Sequence, residues 1–220
     1  MKIESFPRKL FLFRNNLCMF AQTQNELHNM KHMSILAVSL LALVACTPEK
    51  KQEADYSQYV NPMIGTDFTG NTYPGAQVPF GMVQLSPDNG LPGWDRISGY
   101  FYPDTTIAGF SHTHLSGTGA GDLYDISFMP VTRPYKEAPA PLGIYSTFSH
   151  NDEAASAGYY RVLLKDYNIN VELTATERCG IQRYTFPEAE ASVFLNLKKA
   201  MNWDFTLDSK IEVVDSTTIR

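Results

Sequence analysis

The sequence predicts a mainly β protein, an antiparallel β-sandwich, on three observations. Segments of four to eight residues alternate apolar and polar side chains with period two. Clusters of Gly, Pro and Asn punctuate them. No segment sustains a 3.6-residue apolar period. The clearest strand is Ile169, Val171, Leu173 and Ala175, interleaved with Asn170, Glu172, Thr174 and Thr176. Residues 123–131 (LYDISFMPV) and 158–164 (GYYRVLL) are aromatic and β-branched, as strands prefer. Residues 180–186 (GIQRYTF) follow the 169–175 strand closely enough to pair with it as a hairpin. Residues 192–197 (SVFLNL) and 210–214 (KIEVV) complete the set.

The chain has 220 residues, 44% hydrophobic, 12% aromatic and 19% charged. That composition supports one ordinary core and excludes a disordered chain. A net charge of −5 leaves no electrostatic footprint for nucleic acid. No apolar run reaches the length a membrane-spanning helix needs.

The first 45 residues read as an address rather than as fold. Residues 34–45 (SILAVSLLALVA) form a short apolar core behind Lys31 and His32 and end in small residues. That is the layout of a secretory signal. The run closes on Leu43-Val44-Ala45-Cys46, like a bacterial lipobox in which Cys46 takes the lipid and becomes the mature amino terminus. The alternative is a plain signal peptide with an incidental Cys. Residues 1–29 resemble no usual signal; Met30 or Met33 makes a conventional start, so they read as an over-extended start. Residues 46–58 are polar and charged, a tether between a lipid anchor and a domain at 59–220. The expected location is the cell envelope, anchored by lipid to the outer membrane. Residues 46–220 hold 13 basic against 21 acidic side chains, so the mature chain is more acidic than the whole. With Cys46 lipidated, Cys179 has no partner and no disulfide framework is expected.

Residues 61–130 differ in texture. Gly and Pro fix special backbone angles there, with polar side chains between them, as in structured binding loops. Trp94 lies in one such loop (PDNGLPGWD). An exposed indole can cover the apolar face of a pyranose, with the Asp95 carboxylate accepting from its hydroxyls. The alternative is a Trp that plugs the end of the sandwich; for Trp203 that reading is preferred. His112 and His114 are two apart, which on a strand puts both rings on one face. They suit a sugar hydroxyl, or a metal with Asp122 or Asp125 as a third ligand, or simply hydrogen bonds that pack a loop. Gly117-x-Gly119-x-Gly121 lacks the Lys and following helix of a phosphate loop. Asp88, Asp95, Asp104, Asp122 and Asp125 are carboxylates of the right type for glycoside chemistry, but spacing selects no pair among them.

Three long stretches carry a family resemblance: VNPMIGTDFTGNTYPGAQVPFGMVQLSPDNG; GWDRISGYFYPDTTIAGFSHTHLSGTGAGDLYDISFMPV; and FSHNDEAASAGYYRVLLKDYNINVELTATERCGIQRYTFP. Together, over residues 59–220, they resemble the amino-terminal domain of glycoside hydrolase family 92, exo-acting α-mannosidases. The resemblance implies a β-sandwich of the galactose-mutarotase-like, supersandwich type. It implies a partner (α/α)6 domain, missing from this chain, that supplies the general acid, the general base and the calcium ligands. It implies an inverting, calcium-dependent hydrolysis of terminal mannosides on glycans. It implies that Trp94 reaches into the sugar site from this side, with Asp95 beside it. His112 and His114 would support the loop facing the barrel and complete the substrate-binding set. Ala120 stands where the family often has Cys. Residues 213–220 read as a strand and turn beginning, so a longer protein is expected, and catalysis by this chain alone is not. A free-standing carbohydrate-binding lipoprotein using the same Trp94 loop is the rival reading.

Overall fold

The computed structural model describes residues 54–117, 123–197 and 206–220, all within one unit, Ala54–Arg220. Cys46, Asp122 and Trp203 lie outside the described residues. Among the described residues the regular structure is strands and short 3₁₀ turns.

One sheet joins β1 (Ser86–Asp88), β3 (Gly109–Ser111), β4 (Ser127–Thr132) and β12 (Ala191–Asn196) in the order β1-β3-β4-β12. The other joins β8 (Glu153–Ser156), β9 (Tyr159–Leu164), β10 (Ile169–Ala175) and β11 (Gly180–Thr185) in the order β11-β10-β9-β8. Two ribbons accompany them. In one, β2 (Thr106–Ile107) pairs with β7 (Ser146–Thr147); in the other, β5 (Glu137–Ala138) pairs with β6 (Gly143–Ile144). Every ladder is antiparallel and both main sheets are open. The predicted antiparallel β-sandwich is the fold observed.

Period two sets the inward faces. Tyr160, Val162 and Leu164 of β9 and Ile169, Val171 and Leu173 of β10 are buried. Register pairs Val171 with Val162 and Leu173 with Tyr160. These side chains share one core with Phe110, Met129 and Val131 of the first sheet and with Leu85, Tyr73 and Tyr100 from the loops. The predicted hairpin forms: β10 and β11 pair from Asn170–Thr185 to Ala175–Gly180, closed by a hydrogen bond from Thr176 N to Cys179 O.

A buried carboxylate ties the second sheet to the loops. Glu153 accepts from Tyr160 Oη at 2.5 Å, Tyr100 Oη at 3.0 Å and His150 Nδ1 at 2.7 Å. His150 in turn donates from Nε2 to Tyr102 O and stacks on the Tyr102 ring.

Two expected strands are corrected. Residues 123–131 are extended only from Ser127, because Leu123, Tyr124 and Ile126 take positive φ angles of 81°, 69° and 54°. That bend turns the Tyr124 ring inward, where its hydroxyl donates to Ile97 O. Residues 210–214 form no strand. Exposed throughout, apolar Ile211, Val213 and Val214 included, they make a small turn with a single bridge, Val213–Ile219, and Asp215 Oδ1 accepts from Thr217 N.

Candidate functional site

At one end of the first sheet, three loops meet. The chain leaves β1 at Asp88 and reaches Pro92-Gly93. Gly93 has φ 149° and ψ 157°, a region open essentially to glycine alone. A 3₁₀ turn, Trp94–Arg96, follows, with Arg96 N donating to Gly93 O and Ile97 N to Trp94 O. This turn lifts Trp94 into solvent: the residue is 56% exposed. Asp95 is half-buried beside it. The indole does not plug the sandwich.

The turn is held from its sides. Arg96 Nε donates to Asp104 Oδ2 at 2.6 Å and Nη2 to Oδ1 at 2.5 Å, a two-pronged fork. The guanidinium carbon also lies 4.7 Å from the centre of the Phe101 ring. The bonds to Asp104 raise the Arg96 pKa above its ordinary value, so the charge persists across the working range. Asn89 braces the return of the chain. Its side chain accepts from Phe101 N and donates to Thr106 O, while its own N–H donates to Gly99 O.

Beneath the turn lies a wholly buried polar group. Asp88 and His114 expose no side-chain surface, and His114 Nε2 donates to Asp88 Oδ1 at 2.9 Å. Ser111 Oγ donates to the same oxygen at 3.1 Å. His114 Nδ1 donates to Gln84 O at 2.8 Å. Both ring nitrogens therefore face oxygen partners, Gln84 O on one side and Asp88 Oδ1 on the other. The ring packs against Tyr73 at 5.0 Å and edge-on to Tyr124 at 5.5 Å. Burial pushes the Tyr73 hydroxyl up to about 12. The chain crosses this group at Gly99, with φ +89°. A methyl there would sit 2.7 Å from the Tyr124 ring and 2.8 Å from Asp88 Oδ1.

The expectation that two-residue spacing sets both histidines on one strand face is corrected. β3 ends at Ser111, before either residue. His114 turns into the interior, whereas His112 donates from Nδ1 to Ile126 O and leans on Phe128 at 5.4 Å. Burial is the main cause that lowers the His112 pKa, helped by the nearby His114. Asp125 is exposed and accepts from Thr113 Oγ1. No group of three His, Cys, Asp or Glu side chains positioned to hold a metal ion occurs among the described residues.

The neighbouring loops are bonded into the same rim. Ser98 Oγ donates to Thr72 O, Tyr102 N to Thr66 O and Gly117 N to Asn71 O. Gln84 N donates to His112 O, and its side-chain amide donates to Gly81 O. Exposed apolar side chains crown these segments: Ile64, Phe68, Phe80 and Met82, along with Trp94. Of the carboxylates singled out by type, Asp88 is buried in hydrogen bonds with His114 and Ser111 and Asp104 in an ion pair with Arg96, so neither faces the surface to serve there as acid or base. Sequence reasoning missed Arg96, Asn89, Ser111 and Tyr124 as parts of this assembly. For Arg96 a signal existed: it is the sole Lys or Arg between Lys51 and Arg133. The other three are ordinary strand and loop residues by type.

Residues 59–220 match the glycosyl hydrolase family 92 N-terminal domain. A protein of Arthroderma benhamiae described as an uncharacterized secreted glycosidase is 26% identical over 172 residues, 74% of this chain and 21% of that protein. The family GH92 α-mannosidase BT3965 from Bacteroides thetaiotaomicron, solved in complex with mannoimidazole, has a TM-score of 0.62 at 44% identity, over 66% of this chain and 20% of its own. The GH92 family glycosyl hydrolase ccman5 has a TM-score of 0.59 at 32% identity, over 66% of this chain and 21% of its own. The chain thus spans about a fifth of the length of these relatives.

Proposed function

Since the chain belongs to glycosyl hydrolase family 92, whose N-terminal domain it carries, we propose that it forms one wall of the mannoside pocket of a secreted exo-α-mannosidase. The observation that carries this reading is the exposed Trp94 on a rigid, glycine-set turn. An indole so placed offers a flat apolar face to a sugar ring, and Asp95 beside it offers an acceptor for hydroxyls. His112 and His114 serve the pocket by fixing the loop on which the rim is built.

The other wall belongs to a carboxy-terminal (α/α)6 domain. The exposed Ile64, Phe68, Phe80 and Met82 are the kind of apolar surface that marks a partner contact. The proton-transferring carboxylates of the inverting reaction reside on that partner, as does the calcium site. Among the described residues of this chain no group of three His, Cys, Asp or Glu side chains is placed to hold a metal ion. Terminal α-mannosides of glycans are the substrate class. Attachment to the outer membrane through lipid on Cys46 completes the proposal, supported by the apolar run that precedes that residue.

Two measurements test it. Supplied with an aryl α-mannoside, this chain alone turns nothing over; hydrolysis that persists through repurification would overturn the division of labour. Titrated with methyl α-mannoside, the indole N–H resonance of Trp94 shifts and saturates with a dissociation constant of roughly millimolar order. A Trp94 signal that stays still while the sugar is raised about a hundredfold past that value refutes the role given to Trp94.

A further inference from the structure

Building on the reading of Trp94 as a sugar-facing residue, we infer that Arg96 is its positioning residue: the fork onto Asp104 and the seat over Phe101 fix the turn that presents the indole. Three observations combine here. Arg96 lies in the same 3₁₀ turn as Trp94, so its side chain and the indole share one short piece of backbone. Its guanidinium reaches both flanks of that piece. It is forked onto Asp104 at 2.5 and 2.6 Å, and its Nη1 lies 3.5 Å from where a Gly93 Cβ would stand. Asp104 is buried, so the fork is shielded from competing water and salt.

Chemistry and sequence agree on the choice of residue. A planar guanidinium makes two parallel bonds to a carboxylate while lying over a ring; an ammonium can lie over a ring but cannot make the fork. A turn of three residues has little internal bonding to hold it. Without the clamp the turn can swing about Gly93, which has no Cβ to limit its backbone and only the Arg96 guanidinium beside it. The buried Asp88–His114 group fixes only the floor under Gly99, not the crest at Trp94. Arg96 is also the sole Lys or Arg across the motif-rich stretch that builds the rim, so no neighbour of that kind on the stretch substitutes for it.

The test uses the intact chain in a Trp203→Phe background, leaving Trp94 as its single indole. Labelled with 5-fluorotryptophan, the parent gives one narrow ¹⁹F line. Arg96→Met, Arg96→Lys and Asp104→Asn each broaden or split that line and weaken methyl α-mannoside binding about tenfold. Arg183→Met, which breaks the Glu172 fork on the other sheet, leaves both unchanged. An unchanged ¹⁹F line in a folded Arg96→Met protein overturns the inference. If that variant does not fold, Arg96→Lys and Asp104→Asn decide it by the same readout. A disturbed line with mannoside binding indifferent to Trp94→Ala upholds the clamp and sinks the sugar reading instead.

Discussion

Replacing Asp88 with Leu removes the acceptor that His114 and Ser111 share. The structure makes the cost calculable. His114 Nε2 and Ser111 Oγ, both on fully buried residues, lose their bonds to Asp88 Oδ1 at 2.9 and 3.1 Å. No water reaches a side chain with zero exposure. Leaving these two buried donors without their acceptor costs about 1–3 kcal/mol each, about 2–6 kcal/mol in all. In a domain of this size that lowers Tm by roughly 4–24 °C. His114→Leu takes the ring's bond from the buried carboxylate, which keeps that of Ser111 Oγ, and costs a similar or smaller amount. The double variant Asp88→Leu/His114→Leu removes both ends of the pair at once, so most of the second penalty vanishes. Its loss of stability falls short of the summed single losses by about 2 kcal/mol or more, within the range for residues in direct contact. Urea titration followed by circular dichroism reads all four corners of the cycle. Additive losses, agreeing to about 0.5 kcal/mol, would refute the claim that these two groups are energetically one unit.

Three further outcomes follow from other parts of the structure. Gly99→Ala meets the Tyr124 ring and Asp88 at under 3 Å in a positive-φ position, so it destabilises by more than about 2 kcal/mol; a thermal melt within a degree of the parent would contradict that. Tyr160→Phe removes the 2.5 Å bond to buried Glu153 and costs about 1.5–3 kcal/mol in urea, a hydrogen bond to a charged acceptor. His112 has its pKa lowered, chiefly by burial, so the unfolded chain takes up a proton more readily than the folded one below about pH 6.5. Its contribution is present above that pH and lost as the pH falls through the folded value. His112→Gln therefore flattens the decline in urea midpoint between neutral and mildly acid pH, and an unaltered slope assigns the decline to other groups.

The strands were legible because period two is a local property. Tyr160, Val162 and Leu164, then Ile169, Val171 and Leu173, alternate with polar neighbours in the sequence, and the sheet buries that face. The stretches that failed are those where tertiary contact overrode local preference. Leu123 and Tyr124 have strand-forming side chains, yet the bond from Tyr124 to Ile97 and the packing on His114 bend the backbone there. Residues 210–214 have the right alternation but pair only with residues 218–220, through the single bridge Val213–Ile219, and so isolated a pairing makes no strand.

For the site, residue type alone pointed to Trp94, Asp95, His112 and His114, and the long motifs around them carried the family. The sequence by itself also determined that Gly and Pro would set special backbone angles in this segment, because those two residues act through their own backbone geometry. Only the tertiary structure decided which neighbours share a bond. His114 went inward to Asp88, a residue 26 positions earlier, and His112 went to Ile126. Arg96 found Asp104 across a loop. Such pairings depend on where separate segments come to rest, and a hydrogen bond a few ångströms long is blind to the distance along the chain that its partners span.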